Sequence, residues 1–193
     1  MRSPESSAAD MENVTASEFY AAIRSQRRDM TLNGHIQAVE NAVADASKGL
    51  PEEVFLMTTR LVPMINVDLL IRTPEGVLLT WREDKHFVPG WHIPGGIIRF
   101  MEKIETRLDA VAFSELGATL KPERKLLNIH EFFYPELSSR NHFISLLYEV
   151  ELASQVTVPR CTNLTAPKHG EYAFFQQAPE NLLEPHEVYR KFL

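Results

Sequence analysis

The sequence holds a single cysteine, Cys161, among 193 residues. One thiol excludes an intrachain disulfide and a Cys-rich zinc site, and it fits a reducing compartment. An excess of positive charge is also missing. The 20 Lys and Arg stand against 26 Asp and Glu, giving a formal net charge of −6. Nucleic-acid binders normally carry a basic footprint, so no nucleic-acid partner is expected. A small anionic ligand remains allowed, because a few local cations suffice for it. There is no long apolar run either. The most apolar stretch, Leu61 to Ile71, is broken by Pro63, Asn66 and Asp68, and it falls far short of the roughly 20 residues that span a bilayer. The opening MRSPESSAAD is polar and leads into no apolar segment, so no secretory signal is expected. No internal repeat is visible. These absences predict a cytoplasmic protein with no membrane partner.

What is present is ordinary for a globular chain, with 44% hydrophobic and 24% charged residues. The length suits one domain with an appendage. Residues 1–49 form the appendage, read as a helical N-terminal extension. Its first 14 or so residues are small and polar, and are expected to be mobile. Thr15 and Glu18 have capping-box spacing, and Phe19, Tyr20 and Ile23 would give the helix that follows one apolar edge. Ile36, Val39, Val43 and Ala46 are spaced to share one stripe of a second helix, with Gly49 as its stop. Such a stripe either packs on the main domain or forms a dimer; a homodimer is the expected state.

Residues 50–193 read as the main domain. Pro51-Glu52-Glu53 opens a helix. Met64 to Ile71 and Val77 to Trp81 are strand-like runs separated by Thr73-Pro74-Glu75-Gly76. Glu102 to Leu116 contains neither proline nor glycine and has apolar residues at 104, 108, 111 and 112, an amphipathic helix stopped by Gly117. Residues 126–133, 141–152 and 171–175 read as strands, and about 179–192 as a helix. Mixed strands with helices predict an α/β or α+β sandwich.

The informative stretch is PGGIIRFMEKIETRLDAVAFSELG, residues 94–117. Its glycine pair would give a tight turn into a loop and then the helix, with carbonyls free to face a cation. Glu115 falls on the edge of the apolar stripe formed by Ile104, Leu108 and Val111. A carboxylate half inside an apolar face needs a partner, and a metal is one candidate; on spacing alone, an ordinary surface helix with solvated glutamates is the better fit. Gly96, then Glu102, then Glu115-Leu116-Gly117 resembles the box of the Nudix hydrolases. Trp91-His92-Ile93-Pro94-Gly95 resembles the strand that leads into it. Residues 50–68, 78–96, 102–117 and Lys168-His169-Gly170-Glu171-Tyr172 are together similar to the GDP-mannose mannosyl hydrolase branch.

The resemblance implies a Nudix-type α/β/α sandwich with a mixed sheet, acting on a nucleotide sugar with Mg²⁺. It implies metal ligation by the Gly95 carbonyl and Glu115, Arg82 as the cation that assists the leaving group, and His169 as general base for water attacking the sugar carbon. Asp68, Lys168 and Tyr172 fall at substrate-facing positions. Asp68 reads equally as a buried acid tied to backbone amides. Several positions depart from the branch. Ala110 stands where it has an arginine, which would strip Glu102 of its ion-pair partner. Ile97 replaces a second arginine, Phe132 a histidine (with His130 close by) and Phe143 a tyrosine. Lys168 replaces a glutamine that ligates the metal, and a protonated lysine has no lone pair to offer. These changes keep two alternatives open: a nucleotide- or sugar-binding module without turnover, and P–O hydrolysis of another diphosphate.

Overall fold

The computed structural model describes residues 31–83 and 87–193, together with position 17. The capping box at Thr15 and Glu18, the edge formed by Phe19, Tyr20 and Ile23, and the mobility expected of residues 1–14 lie outside the described residues. The chain divides into two compact units at Ala44/Asp45.

In the first unit, Leu32–Ala42 form helix α1, which Thr31 starts by accepting the Gly34 amide on Oγ1 at 3.2 Å. The expected four-residue stripe is not continuous. The helix ends at Ala42, Val43 is extended (φ −98°, ψ 101°), and Ala46 belongs to a separate 3-10 turn, Ala46–Lys48. The Asp45 carboxylate causes the break. It accepts the Ser47 amide at 3.0 Å and so begins a new turn in competition with the helix. Gly49, at φ 123°, closes that turn rather than the helix.

The second unit begins with this turn and a short helix, α2, Glu52–Thr58, that carries its acids in the first turn as expected. Seven strands follow: β1 Met64–Thr73, β2 Gly76–Arg82, β3 Gly90–His92, β4 Gly95–Ile97, β5 Leu120–Phe133, β6 His142–Leu152 and β7 Tyr172–Phe175. They form one mixed sheet in the order β3-β2-β1-β6-β5, with β4 added to β1 and β7 to β2. β1 runs parallel to β6 from Met64/Phe143 to Ile71/Val150. As the central strand it is covered on both faces, which explains its nearly unbroken apolar run. β5 starts earlier than expected. Pro122 lacks an N–H for the ladder, and the register slips between Leu120 and Arg124 accommodate it.

Alternation along β1 and β2 sorts two cores. Val67, Leu69, Ile71 and Leu78 pack against Leu108, Val111, Ala112 and Leu116 of helix α3, Ile104–Leu116. Leu108 is wholly buried, and cutting it to alanine would cost roughly 2–5 kcal/mol. Gly117 ends α3 in the left-handed region, φ 59°. On the other face Leu70, Leu79, Trp81, Trp91, Phe132 and Tyr189 cluster, with Trp81 and Trp91 edge to face at 5.3 Å. Tyr189 comes from Glu184–Phe192, which is a 3-10 helix rather than the expected α-helix. Pro185 sits in its first turn, and the bond from the His186 amide to Leu183 O (2.7 Å) has i→i+3 spacing. With α3 on one face and this helix on the other, the unit is an α/β/α sandwich.

Candidate functional site

The short strand β4 runs antiparallel to β1, pairing Gly95 with Asp68 and Gly96 with Val67. Neither glycine has positive φ. The pair therefore makes no strained turn, and it is glycine for want of space. A Cβ on Gly95 would lie 2.2 Å from Asp68 Oδ1, and one on Gly96 would lie 2.9 Å from Val111 Cγ2. Asp68 is buried, as one of its two readings expected, but hydroxyls hold it rather than backbone amides. Ser145 Oγ and Tyr189 OH (2.7 Å) both donate to Oδ2. Desolvation raises the Asp68 pKa above the usual carboxylate range, against the pull of these two donors and of His92. The same burial raises Tyr189, and the Asp68 charge adds to it.

On the α3 side of β4, Glu115 is fully engaged. Its Oε1 accepts the Gly95 amide at 3.1 Å, and its Oε2 accepts Thr80 Oγ1 at 3.2 Å. His92 Nε2 lies 3.3 Å from the same Oε2, while His92 Nδ1 lies 2.8 Å from Thr80 O. That carbonyl can only accept, so Nδ1 carries a proton. The half-buried carboxylate expected from the helix pattern thus has partners within the protein. Each Glu115 carboxylate oxygen has a second lone pair, so the side chain could also serve as one ligand of a divalent cation. The side chain keeps about a quarter of its surface exposed, and Mg²⁺ needs few protein oxygens when substrate phosphates and water complete its shell. Among the described residues no group of three His, Cys, Asp or Glu could hold a metal by itself.

Asp68, Gly95 and Arg82 line a cavity of ≈ 150 Å³ that His92, Phe132 and His186 also border. His186 Nδ1 accepts the Ile93 amide at 3.1 Å, which leaves its proton on Nε2. Burial lowers its pKa well below the usual histidine value, and His92 and Arg82 press in the same direction, so the ring is neutral. Lys168, His169 and Tyr172 are not among the described lining residues. Their loop lies beside the end of β2, where the Gly170 amide donates to Trp81 O at 2.9 Å. His169 is exposed, and its Nδ1 accepts the amide of Glu83, the residue after Arg82, at 3.1 Å. In this arrangement Nε2 holds the ring's proton and the one lone pair is in use. The Lys168 amide donates to Glu171 Oε2 at 3.0 Å. Tyr172 packs into the α3-side core, edge to face with Phe174 at 5.7 Å.

No family model matches the chain. It is 31% identical to the low-salt glycan biosynthesis protein Agl8 of Haloferax volcanii over 106 residues, covering 53% of this chain and 68% of that protein. Among solved structures, a MutT NUDIX hydrolase from Burkholderia pseudomallei superposes with a TM-score of 0.54 at 17% identity, covering 67% of this chain and 97% of that one. The chain shares the fold of the Nudix hydrolases. A NUDIX hydrolase from Nitrosomonas europaea aligns with a TM-score of 0.43 at 17% identity over 49% of this chain; the chain spans 62% of that protein's length.

The stretch that resembles the Nudix box holds an internal ion pair by a route other than residue 110. Glu102 does not lose its partner to Ala110: Arg107 Nε donates to Glu102 Oε2 at 2.7 Å, with both side chains nearly buried. Burial alone would raise the Glu102 pKa, but the Arg99 amide at 2.9 Å and Arg107 bring it below the usual range. Helical spacing could not reveal the pair, because Glu102 precedes the first residue of α3. Sequence reading also missed His92, His186, Ser145 and Tyr189. His92 had a usable signal, since it stands four residues before Gly96 on an approach strand. The others reach the site only through the fold.

Proposed function

We propose that this protein is a Mg²⁺-dependent Nudix hydrolase that cleaves a nucleoside diphosphate sugar, of the GDP-mannose kind, to free sugar and nucleoside diphosphate. The observation that carries the reading is the junction of Glu115 with Gly95 beside a cavity bordered by Arg82 and Asp68. The relative named for glycan biosynthesis supports a sugar-bearing substrate. Residues 1–49 act as a helical extension and residues 50–193 as the catalytic domain of a cytoplasmic homodimer.

In this reading Glu115 and the Gly95 carbonyl would hold Mg²⁺, which would supply positive charge against the departing diphosphate. Arg82 meets the same charge through guanidinium donors. Lys168 cannot ligate a cation, so its ammonium pairs with phosphate oxygens, while Asp68 and Tyr172 contact substrate. Water attacks the anomeric carbon from the face opposite the leaving group. The bond from that carbon to the diphosphate oxygen breaks, and the configuration inverts. His169 takes the water's proton on Nδ1, for which it must first release the Glu83 amide. A neutral imidazole near pH 7 is well matched to this task.

The occupied oxygens of Glu115 and the occupied Nδ1 of His169 favour a second reading, a nucleotide- or sugar-binding module without turnover. A panel of nucleotide sugars, with and without Mg²⁺, separates the two. Free sugar released only with Mg²⁺ supports the hydrolase; tight binding without product supports the module. Sugar phosphate with nucleoside monophosphate would mean P–O hydrolysis instead.

A further inference from the structure

Arg140 precedes β6 with φ 53°, in a region that non-glycine residues seldom occupy. Two contacts hold it there. Its amide donates to Oγ1 of the buried Thr59 at 3.2 Å, and its guanidinium lies over the Phe55 ring, 4.8 Å from the centroid. Its Nε is nevertheless buried with no hydrogen-bond partner. A side chain anchored at such a backbone position, with a donor left over, points to a ligand.

The same cavity holds the complementary orphan. Arg140 and Asn66 both line it, and Asn66 Oδ1 is buried without a partner. The Asn66 amide is oriented by its neighbour. Ser145 gives its one hydroxyl proton to Asp68, so it accepts from Asn66 Nδ2 at 3.2 Å, which turns Oδ1 away from it. Phe132 and Tyr134 stack at 16° on this wall, with Phe87 tilted against Tyr134 at 6.1 Å.

We propose that Arg140 and Asn66 are specificity-determining residues that read the edge of the substrate's nucleobase in this cavity. A base brings an acceptor to Arg140 Nε and an N–H to Asn66 Oδ1, and it offers a planar face to the aromatic wall. A sugar ring has hydroxyls for both groups but no π-face. The inference rests on the nucleotide-substrate reading and deepens it.

The test is calorimetric titration of the full chain with uridine, guanosine, adenosine and cytidine diphosphates, and with inorganic pyrophosphate. Arg140→Lys keeps the charge and removes the guanidinium donor. It should weaken the preferred nucleoside diphosphate by about ten- to a hundredfold, narrow the spread between bases and leave pyrophosphate affinity unchanged. Asn66→Ala should act in the same direction, and it carries the test if thermal melting shows that Arg140→Lys is unfolded. Equal losses for pyrophosphate and nucleotide would make Arg140 a phosphate contact and overturn the proposal. So would unchanged nucleotide affinity, or nucleoside diphosphates that fail to bind the unmodified protein. Binding needs no turnover, so selective binding by a protein that hydrolyses nothing would sink the hydrolase reading and keep this one.

Discussion

Residues 94–117 and residues 168–172 share one family resemblance but sit in unlike surroundings. The first stretch is welded into the core. Gly95 has no room for a Cβ, Glu115 accepts two hydrogen bonds, and Arg107 is buried beneath Gly96. The second is a surface loop. Lys168 and His169 are exposed, and a Cβ on Gly170 would meet nothing within 4 Å. On the proposed hydrolase reading, the charge-holding part would be rigid and the proton-transfer part would lie on the surface. As the proposed base, His169 would have to exchange the Glu83 amide on Nδ1 for a water, which a core residue could not easily do.

The sharpest way to break the comparison is to cut each half at its reacting group. His169→Gln should lower turnover by about 10²–10⁴-fold while substrate still binds. Reaction in ¹⁸O-water should label the free sugar and leave the nucleoside diphosphate unlabelled. Label on phosphorus would put the attack there and remove His169 from the role of base at carbon. Glu115→Gln keeps shape and removes charge, so turnover should drop on the order of 10²–10³-fold with little change in melting temperature. Activity that stays flat across a Mg²⁺ titration in both proteins would detach Glu115 from the metal.

The glycines probe rigidity directly. Gly95→Ala forces a Cβ against Asp68 Oδ1 and within 3.0 Å of Val67 O, and should destabilise by about 1–3 kcal/mol. Gly170→Ala pays only for φ +81°, about 1 kcal/mol. Equal melting temperatures for the two variants would erase the contrast between core and loop. The smallest effect on chemistry is expected from deleting residues 1–49, which should leave turnover in place and alter the oligomeric state seen by light scattering. An insoluble product would show that the extension is needed for folding.

The box was legible because it is local. Helix α3, its Gly117 stop and the strands around it follow from periodicity and punctuation within a few residues. What escaped was either a local competition or a long-range contact. Asp45 breaks the stripe after Ala42 by a side-chain bond that apolar spacing does not register. The glycine pair suggested a turn, when it is the Asp68 carboxylate and Val111 that demand glycine. The ion pair of Glu102 skips a helix boundary to reach Arg107. Asp68 could be picked out as an acid inside a strand, but its partners Ser145 and Tyr189 lie 77 and 121 positions away.

That last separation also sets an order of assembly in time. At about 5–20 residues per second of synthesis, Tyr189 follows Asp68 off the ribosome by roughly 6–24 s. β6, the parallel neighbour of β1, is also late, and non-local parallel pairing is slow to form. Until Ser145 follows, 77 positions on, the carboxylate that will line the cavity has neither hydroxyl donor and must stay in water, and it lacks the second until Tyr189. A nascent chain can therefore fold the turns around residues 94–117 while the cavity stands open, to be closed from the far end of the domain.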